Sequence, residues 1–206
     1  MTCSAATSPQ NHNFTLSEAV LDAAKSGAPW ALERVYCALA PVVTGYLRVQ
    51  GAQEPEDLTA EVFVAVLTGI HRFTGDGVAF RSWLFTITHR RLTDERRRSG
   101  RRPPMDPIDD AALTLPEGTD VEAQVLARIS TQYVQALCST LTDDQRDVLL
   151  LRLVADFSIE DVALVVDKQP GAVKALQHRA LATLRRRLAA AGEQSSLNVV
   201  AQAVSQ

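Results

Sequence analysis

The chain has 206 residues, 46% of them hydrophobic, and a formal net charge of -3, which allows one large soluble domain or two small ones. No stretch approaches the roughly 18 apolar residues that a membrane span needs, and the opening MTCSAATSPQNHN lacks the basic start and apolar centre of a secretion signal, so stable membrane insertion is not expected and a cytoplasmic location is. Cys3, Cys37 and Cys138 are scattered without CxxC spacing, which suggests neither a zinc site nor a disulfide framework, and no metal or cofactor is expected.

Residues 1–13 are polar and are expected to be disordered. Beyond them Leu16, Val20, Leu21 and Ala24, then Leu32, Val35, Tyr36 and Leu39, keep helical spacing, with a break at Gly27-Ala28-Pro29. Pro41 should bend or restart the second of these helices, because it has no N–H to donate. After a turn from Gly51 to Pro55, a third helix runs to His71, with Glu56 and Asp57 in the first turn, where the helix dipole favours acids. Leu58, Val62, Ala65, Val66 and Ile70 form its inward stripe, while Asp57, Glu61, Val64 and Thr68 form an exposed edge that is acidic and apolar at once. That edge either caps and solubilises the helix or docks on a protein partner.

The loop Phe73-Thr74-Gly75-Asp76-Gly77 follows, able to turn tightly on its glycines. It is either a plain helix connection or, with its aromatic beside a basic helix, a holder for an unstacked base. Phe80, Trp83, Leu84 and Ile87 then mark one apolar stripe of a helix whose other surface carries Arg81, His89, Arg90, Arg91, Arg96, Arg97, Arg98, Arg101 and Arg102. Against only Asp94 and Glu95, this excess of positive charge makes nucleic acid the leading partner. Thirteen of the 21 lysines and arginines lie at 90–102 and 168–187, so the mildly acidic chain has two basic feet.

Residues 99–120 are rich in Pro, Asp and Gly and read as a flexible linker. They divide the chain into two helical units, 14–98 and 121–190, followed by a tail at 191–206; the expected fold is all-α. Each unit is small, has a modest core and is expected to gain stability from its partner. The second opens with a helix from Val121 to Ser139. Thr142-Asp143-Asp144-Gln145 is a capping-box signature for the next helix, and Ser158 caps the one after, with Phe157 and Val162 placed to staple it. SIEDVALVV, a break at Asp167-Lys168-Gln169, and PGAVKALQHRALATLRRRL make a helix-turn-helix. Its second helix turns Val173, Leu176, Ala180 and Leu184 inward and Gly171, Lys174, Ala175, His178 and Arg179 outward, which suits a major groove.

Taken together, the run Glu56-Asp57-Leu58-Thr59-Ala60-Glu61-Val62-Phe63, the Phe73-to-Asp76 loop, Phe80 through Ile87, Asp94 through Arg98, Leu141 through Arg146, Leu149 through Arg152, Gly171 through Lys174 and His178-Arg179-Ala180 resemble the extracytoplasmic-function (ECF) group of the sigma-70 family. The resemblance covers nearly all of residues 15–188 and implies a sigma2-like bundle and a sigma4-like helix-turn-helix domain. It implies docking on core RNA polymerase (the beta and beta-prime subunits) through Asp57, Leu58, Glu61 and Phe63. It implies minus-ten capture and melting by Phe73, Thr74, Gly75, Asp76, Trp83, Arg90, Arg91, Asp94 and Arg97, and minus-thirty-five reading by Gly171, Ala172, Lys174, Ala175, His178 and Arg179, with Arg152 on a phosphate. An anti-sigma factor is a further implied partner. Arg90 stands where the family often has Asn, and Ala175-Leu176 where it often has Ser-Arg, departures that bear on promoter sequence. The rival reading is a helix-turn-helix regulator with an N-terminal dimerisation or sensing domain. An enzyme is disfavoured, since His71 and His89 accompany no spaced carboxylate pair, Gly-rich phosphate loop or nucleophile motif, and no catalytic residue is expected.

Overall fold

The computed structural model describes residues 16–99 and 133–190. The expected linker, the start of the helix at Val121 and both chain ends lie outside the described residues. Every regular element among those described is helical: α1 (Glu18–Lys25), α2 (Pro29–Val49), α3 (Pro55–Gly69), a short 3₁₀ turn (Ile70–Arg72), α4 (Gly77–Ser99), α5 (Asp143–Val154), α6 (Ile159–Val165) and α7 (Pro170–Ala190). Residues 133–138 are helical too.

In the first unit α2 lies against α1 and α3, and α3 against α4. Val35, Leu39, Val43 and Leu47 meet Leu58, Val62 and Val66 in a core completed by Phe80 and Leu84. Pro41 does not restart α2, which runs through it. The buried residues on either side, Leu39, Ala40 and Val43, hold the helix together where one backbone bond is lost. At the end of α3, Gly69 admits the Trp83 ring, for a Cβ there would lie 3.1 Å from it.

In the second unit the expected capping box forms at Thr142, and the Ser158 cap proves to be a second one. The Thr142 hydroxyl accepts from the Gln145 N–H while Gln145 reaches back to the Thr142 N–H, and Ser158 and Asp161 do the same at α6. The α6–α7 turn passes through Asp167 at φ 53°, a left-handed conformation that short polar Asp adopts more readily than most residues.

The two units do not stand apart. Phe85 and Leu92 of α4 share one buried cluster with Val148, Leu151, Phe157 and Val162. Phe85 meets Phe157 edge-on at 5.3 Å, and Arg81 lies over the Phe157 ring while donating to the Ala155 carbonyl. Helix α4 therefore has two inward sides. The second runs through Phe85, His89, Leu92 and Arg96 at helical spacing, on the surface expected to be free and basic. Cys138 is a buried free thiol, whereas Cys37 is disulfide-bonded, which the scattered cysteine spacing did not suggest.

Candidate nucleic-acid interface

Helix α7 is anchored by Val173, Leu176, Ala180, Leu184 and Leu188, all buried. Those anchors turn Gly171, Ala172, Lys174, Ala175, His178 and Arg179 outward as one exposed face. A side chain at Gly171 would meet nothing within 4 Å, so the start of the helix is bare and leaves room for close approach of a nucleic-acid backbone. His178, Arg179, Arg185 and Arg186 line a shallow depression with Gln145, which extends the basic surface toward α5. Arg152 is placed differently: its guanidinium donates to the Phe157 carbonyl and so braces the α5–α6 loop.

On α4 the arginines divide into two groups. Arg90, Arg97 and Arg98 are exposed with Asp94. Arg91 lies 3.7 Å from Glu61 of α3, a half-exposed pair that tethers it loosely. Arg81 and Arg96 are consumed by the second unit. Arg90, Asp94 and Arg97 line one wall of a cleft of about 600 Å3 whose other wall is Leu164, Val165, Val166 and Asp167. Leu164 is 73% exposed there. This side of α4 and the first helix of the helix-turn-helix thus look at each other across the cleft.

The loop from Phe73 to Asp76 keeps Thr74, Gly75 and Asp76 at the surface. Phe73 itself is half-buried, stacked on Trp83 at 5.2 Å and edge-on to Phe80 at 5.4 Å. Its ring anchors the loop, so a captured base would meet the loop's polar tip. On α3, Asp57 and Glu61 are exposed, but Leu58 and Phe63 are buried, 5% and 2% exposed. These two hold the helix instead of offering contact area. The exposed apolar residues of that edge are Val64 and Tyr36, whose ring covers Phe63 edge-on at 4.9 Å.

Between the units sits a polar node with no local sequence signal. Asp147, 4% exposed, accepts from Arg96 Nη1 at 3.1 and 3.3 Å and from Gln50 Nε2 at 2.7 Å. Arg96 Nη2 donates to Gln50 Oε1 at 2.7 Å, and His89 Nδ1 lies 3.8 Å from Asp147 Oδ2. Burial pushes the Asp147 carboxyl above the usual carboxylate range, with Arg96 opposing. Burial likewise pushes His89 below its ordinary value, with Asp147 opposing, and drives the Tyr46 hydroxyl up beside them.

Known proteins match this arrangement. Sigma-70 region 2 matches residues 35–102 and sigma-70 region 4 matches residues 131–184. The chain is 32% identical over 188 residues to the ECF RNA polymerase sigma factor SigD of Mycobacterium tuberculosis, covering 85% of each protein. It is 30% identical over 175 residues to the ECF RNA polymerase sigma factor BldN of Streptomyces coelicolor, covering 82% of this chain and 64% of that one. Among solved structures, CnrH in complex with the cytosolic domain of CnrY is similar in fold, with a TM-score of 0.62 at 20% identity over 87% of this chain and 99% of that one.

Proposed function

This chain belongs to the extracytoplasmic-function group of the sigma-70 family, and from that premise we propose that it binds core RNA polymerase and directs promoter recognition, melting and initiation. The observation that carries the reading is the pairing of two outward basic faces, α7 and the Arg90–Asp94–Arg97 side of α4, on two helical units in the family's order. The α7 face reads the minus-thirty-five duplex through its major groove. The tip of the Phe73 loop receives an unstacked base, whose removal from the stack costs a few kcal/mol that pocketing can offset. Arg90 and Arg97 supply sequence-independent attraction for the opened strand. Asp57 and Glu61, with Val64 and Tyr36 as the apolar part, form the docking edge for polymerase. The protein's task on this reading is binding and strand separation, with no catalytic step of its own.

A docked pair of units cannot serve both promoter elements at once. Elements some 25 base pairs apart are about 85 Å apart along B-DNA, whereas a compact body of 206 residues has a radius of gyration of only about 17 Å. The units must part, with polymerase holding them at the required separation and adding their modest affinities. Free protein therefore binds duplex promoter DNA weakly. An anti-sigma factor that covers the docking edge is the proposed inhibitor, in keeping with the complex in which CnrH is found.

Run-off transcription with purified core polymerase on a promoter library tests the proposal. Specific transcripts are expected, and their absence, with no inhibitor present, would overturn it. A helix-turn-helix repressor or activator could not replace a sigma factor in that assay.

A further inference from the structure

Helix α1 precedes the sigma-70 region 2 match, which begins at residue 35, and the function proposed above gives it no task. Its last residue, Lys25, nevertheless reaches the loop proposed to hold the unstacked base. Lys25 Nζ donates to the Gly75 carbonyl at 3.1 Å, across 50 residues of chain. The same ammonium lies 5.7 Å from the Phe73 ring centroid and 3.3 Å from Asp22 Oδ1, which steadies it from within α1. The Lys25 side chain is only 24% exposed.

The loop it grips has little other freedom. Gly75 sits at φ 140°, and a Cβ there would come within 3.0 Å of both the Phe73 ring and Ala79. Asp76 caps α4 by accepting from the Ala79 N–H at 2.8 Å. Phe73 is fixed beneath by Trp83 and Phe80. With both ends of the loop pinned, the Gly75 peptide is what remains to be oriented, and Lys25 binds its carbonyl. Beside it Glu18, Leu21, Asp22, Lys25, Gly75 and Asp76 line a cleft of about 270 Å3, open to solvent and large enough for a single unstacked base.

We infer that Lys25 is a positioning residue for base capture: it sets the Gly75 peptide at the mouth of this cleft, so that a single unpaired nucleobase of the melted strand is held between α1 and the loop. The inference rests on the sigma-factor reading and adds to it a determinant outside the matched region.

The test uses the full chain with core polymerase on promoters carrying an abasic site at each nontemplate position of the melted element in turn. Wild type should prefer the intact promoter most strongly at one position. Lys25→Met should shrink that preference by about tenfold, the worth of a charge-assisted hydrogen bond, while Lys25→Arg restores most of it. Gly75→Ala, which disturbs the same loop without touching α1, should shrink the preference at the same position, and circular dichroism melting would show whether either variant has merely unfolded. An unchanged preference in Lys25→Met overturns the inference, as does an equal loss on intact and abasic templates, which would mark a phosphate contact. Failure of wild type to initiate anywhere would instead remove the sigma-factor reading beneath it.

Discussion

Asp147 and Arg96, 51 residues apart in the chain, form a buried ion pair across the two units, at 3.1 Å with the carboxylate 6% exposed. A desolvated pair of this kind adds little net stability, but removing one partner strands the other. Asp147→Ala leaves Arg96 and the Gln50 amide without their shared acceptor and should cost about 3 kcal/mol in urea unfolding. The double replacement Arg96→Met, Asp147→Leu should recover most of that loss, because neither charge is then buried alone. Fluorescence transfer between labels on α3 and α7 should also fall in Asp147→Ala as the units part. An Asp147→Ala protein with wild-type stability and wild-type transfer would show that the pair does not hold the units together.

The same node sets a pH dependence. The folded-state pKa of His89 lies below its ordinary value because the imidazole is buried. Below about pH 6.5 the unfolded chain binds a proton that the folded chain resists, so this group's contribution is present above that pH and is lost as pH falls. Asp147 acts in the opposite sense: its pKa is raised by burial, so its contribution appears as pH falls through that raised value toward the ordinary carboxylate range. Between pH 7.5 and 6, thermal stability should therefore decline, and His89→Gln should flatten the decline. An identical slope in the variant would remove His89 as its source.

At α5 the Thr142 hydroxyl and the Gln145 side chain satisfy each other's backbone N–H groups. Thr142→Ala removes one acceptor at a helix start and should cost about 1 kcal/mol. Thr142→Ser should cost almost nothing, since only the oxygen is needed. Chemical denaturation of the three proteins checks the order.

Much of this arrangement is written locally in the chain. The caps at Thr142 and Ser158, the inward stripe of α3 and the alternation of Val173, Leu176 and Ala180 with Lys174, Ala175 and His178 are set by neighbours a turn away, and residue type and periodicity find them. The docked face of α4 is not so written. Phe85, His89, Leu92 and Arg96 alternate apolar and charged residues, which reads as a solvated side until Asp147, Ala155 and Phe157 are brought to it by the fold. Phe63 illustrates the converse. The resemblance gives it to the polymerase-docking surface, yet it is 2% exposed, within the core cluster and edge-on to Tyr36 of α2. Pro41 stays helical for a related reason, since packing on both sides of α2 outweighs one missing bond.

The turn of the helix-turn-helix carries strain that can be relieved. Asp167 has φ 53°, where a Cβ is costly and glycine is not. Asp167→Gly should leave the turn unchanged and shift stability by no more than about 1 kcal/mol, because relief of strain is opposed by a more flexible unfolded chain. Asp167→Val, branched at Cβ, should be destabilising by more than that. Thermal melts of both variants discriminate, and tolerance of valine would show that the turn can relax out of the left-handed region.

On α7, Lys174 and Arg179 share the exposed face but differ in what they can read. A lysine ammonium is a point charge suited to phosphate, whereas an arginine fork can bond two acceptors on one guanine edge. Arg179 is also steadied by its own helix, its Nε donating to the Ala175 carbonyl at 3.2 Å, which leaves the outer nitrogens for a base. In the polymerase-bound protein, Arg179→Ala should cost about 1–3 kcal/mol on the preferred minus-thirty-five sequence and erase the penalty for a substitution at one base pair. Lys174→Ala should weaken binding similarly on every sequence and lower the salt dependence by about one counterion. Competition binding across single-base promoter variants at two salt concentrations separates the roles; a uniform loss from Arg179→Ala would move that arginine to the backbone, and a sequence-dependent loss from Lys174→Ala would move the lysine to a base.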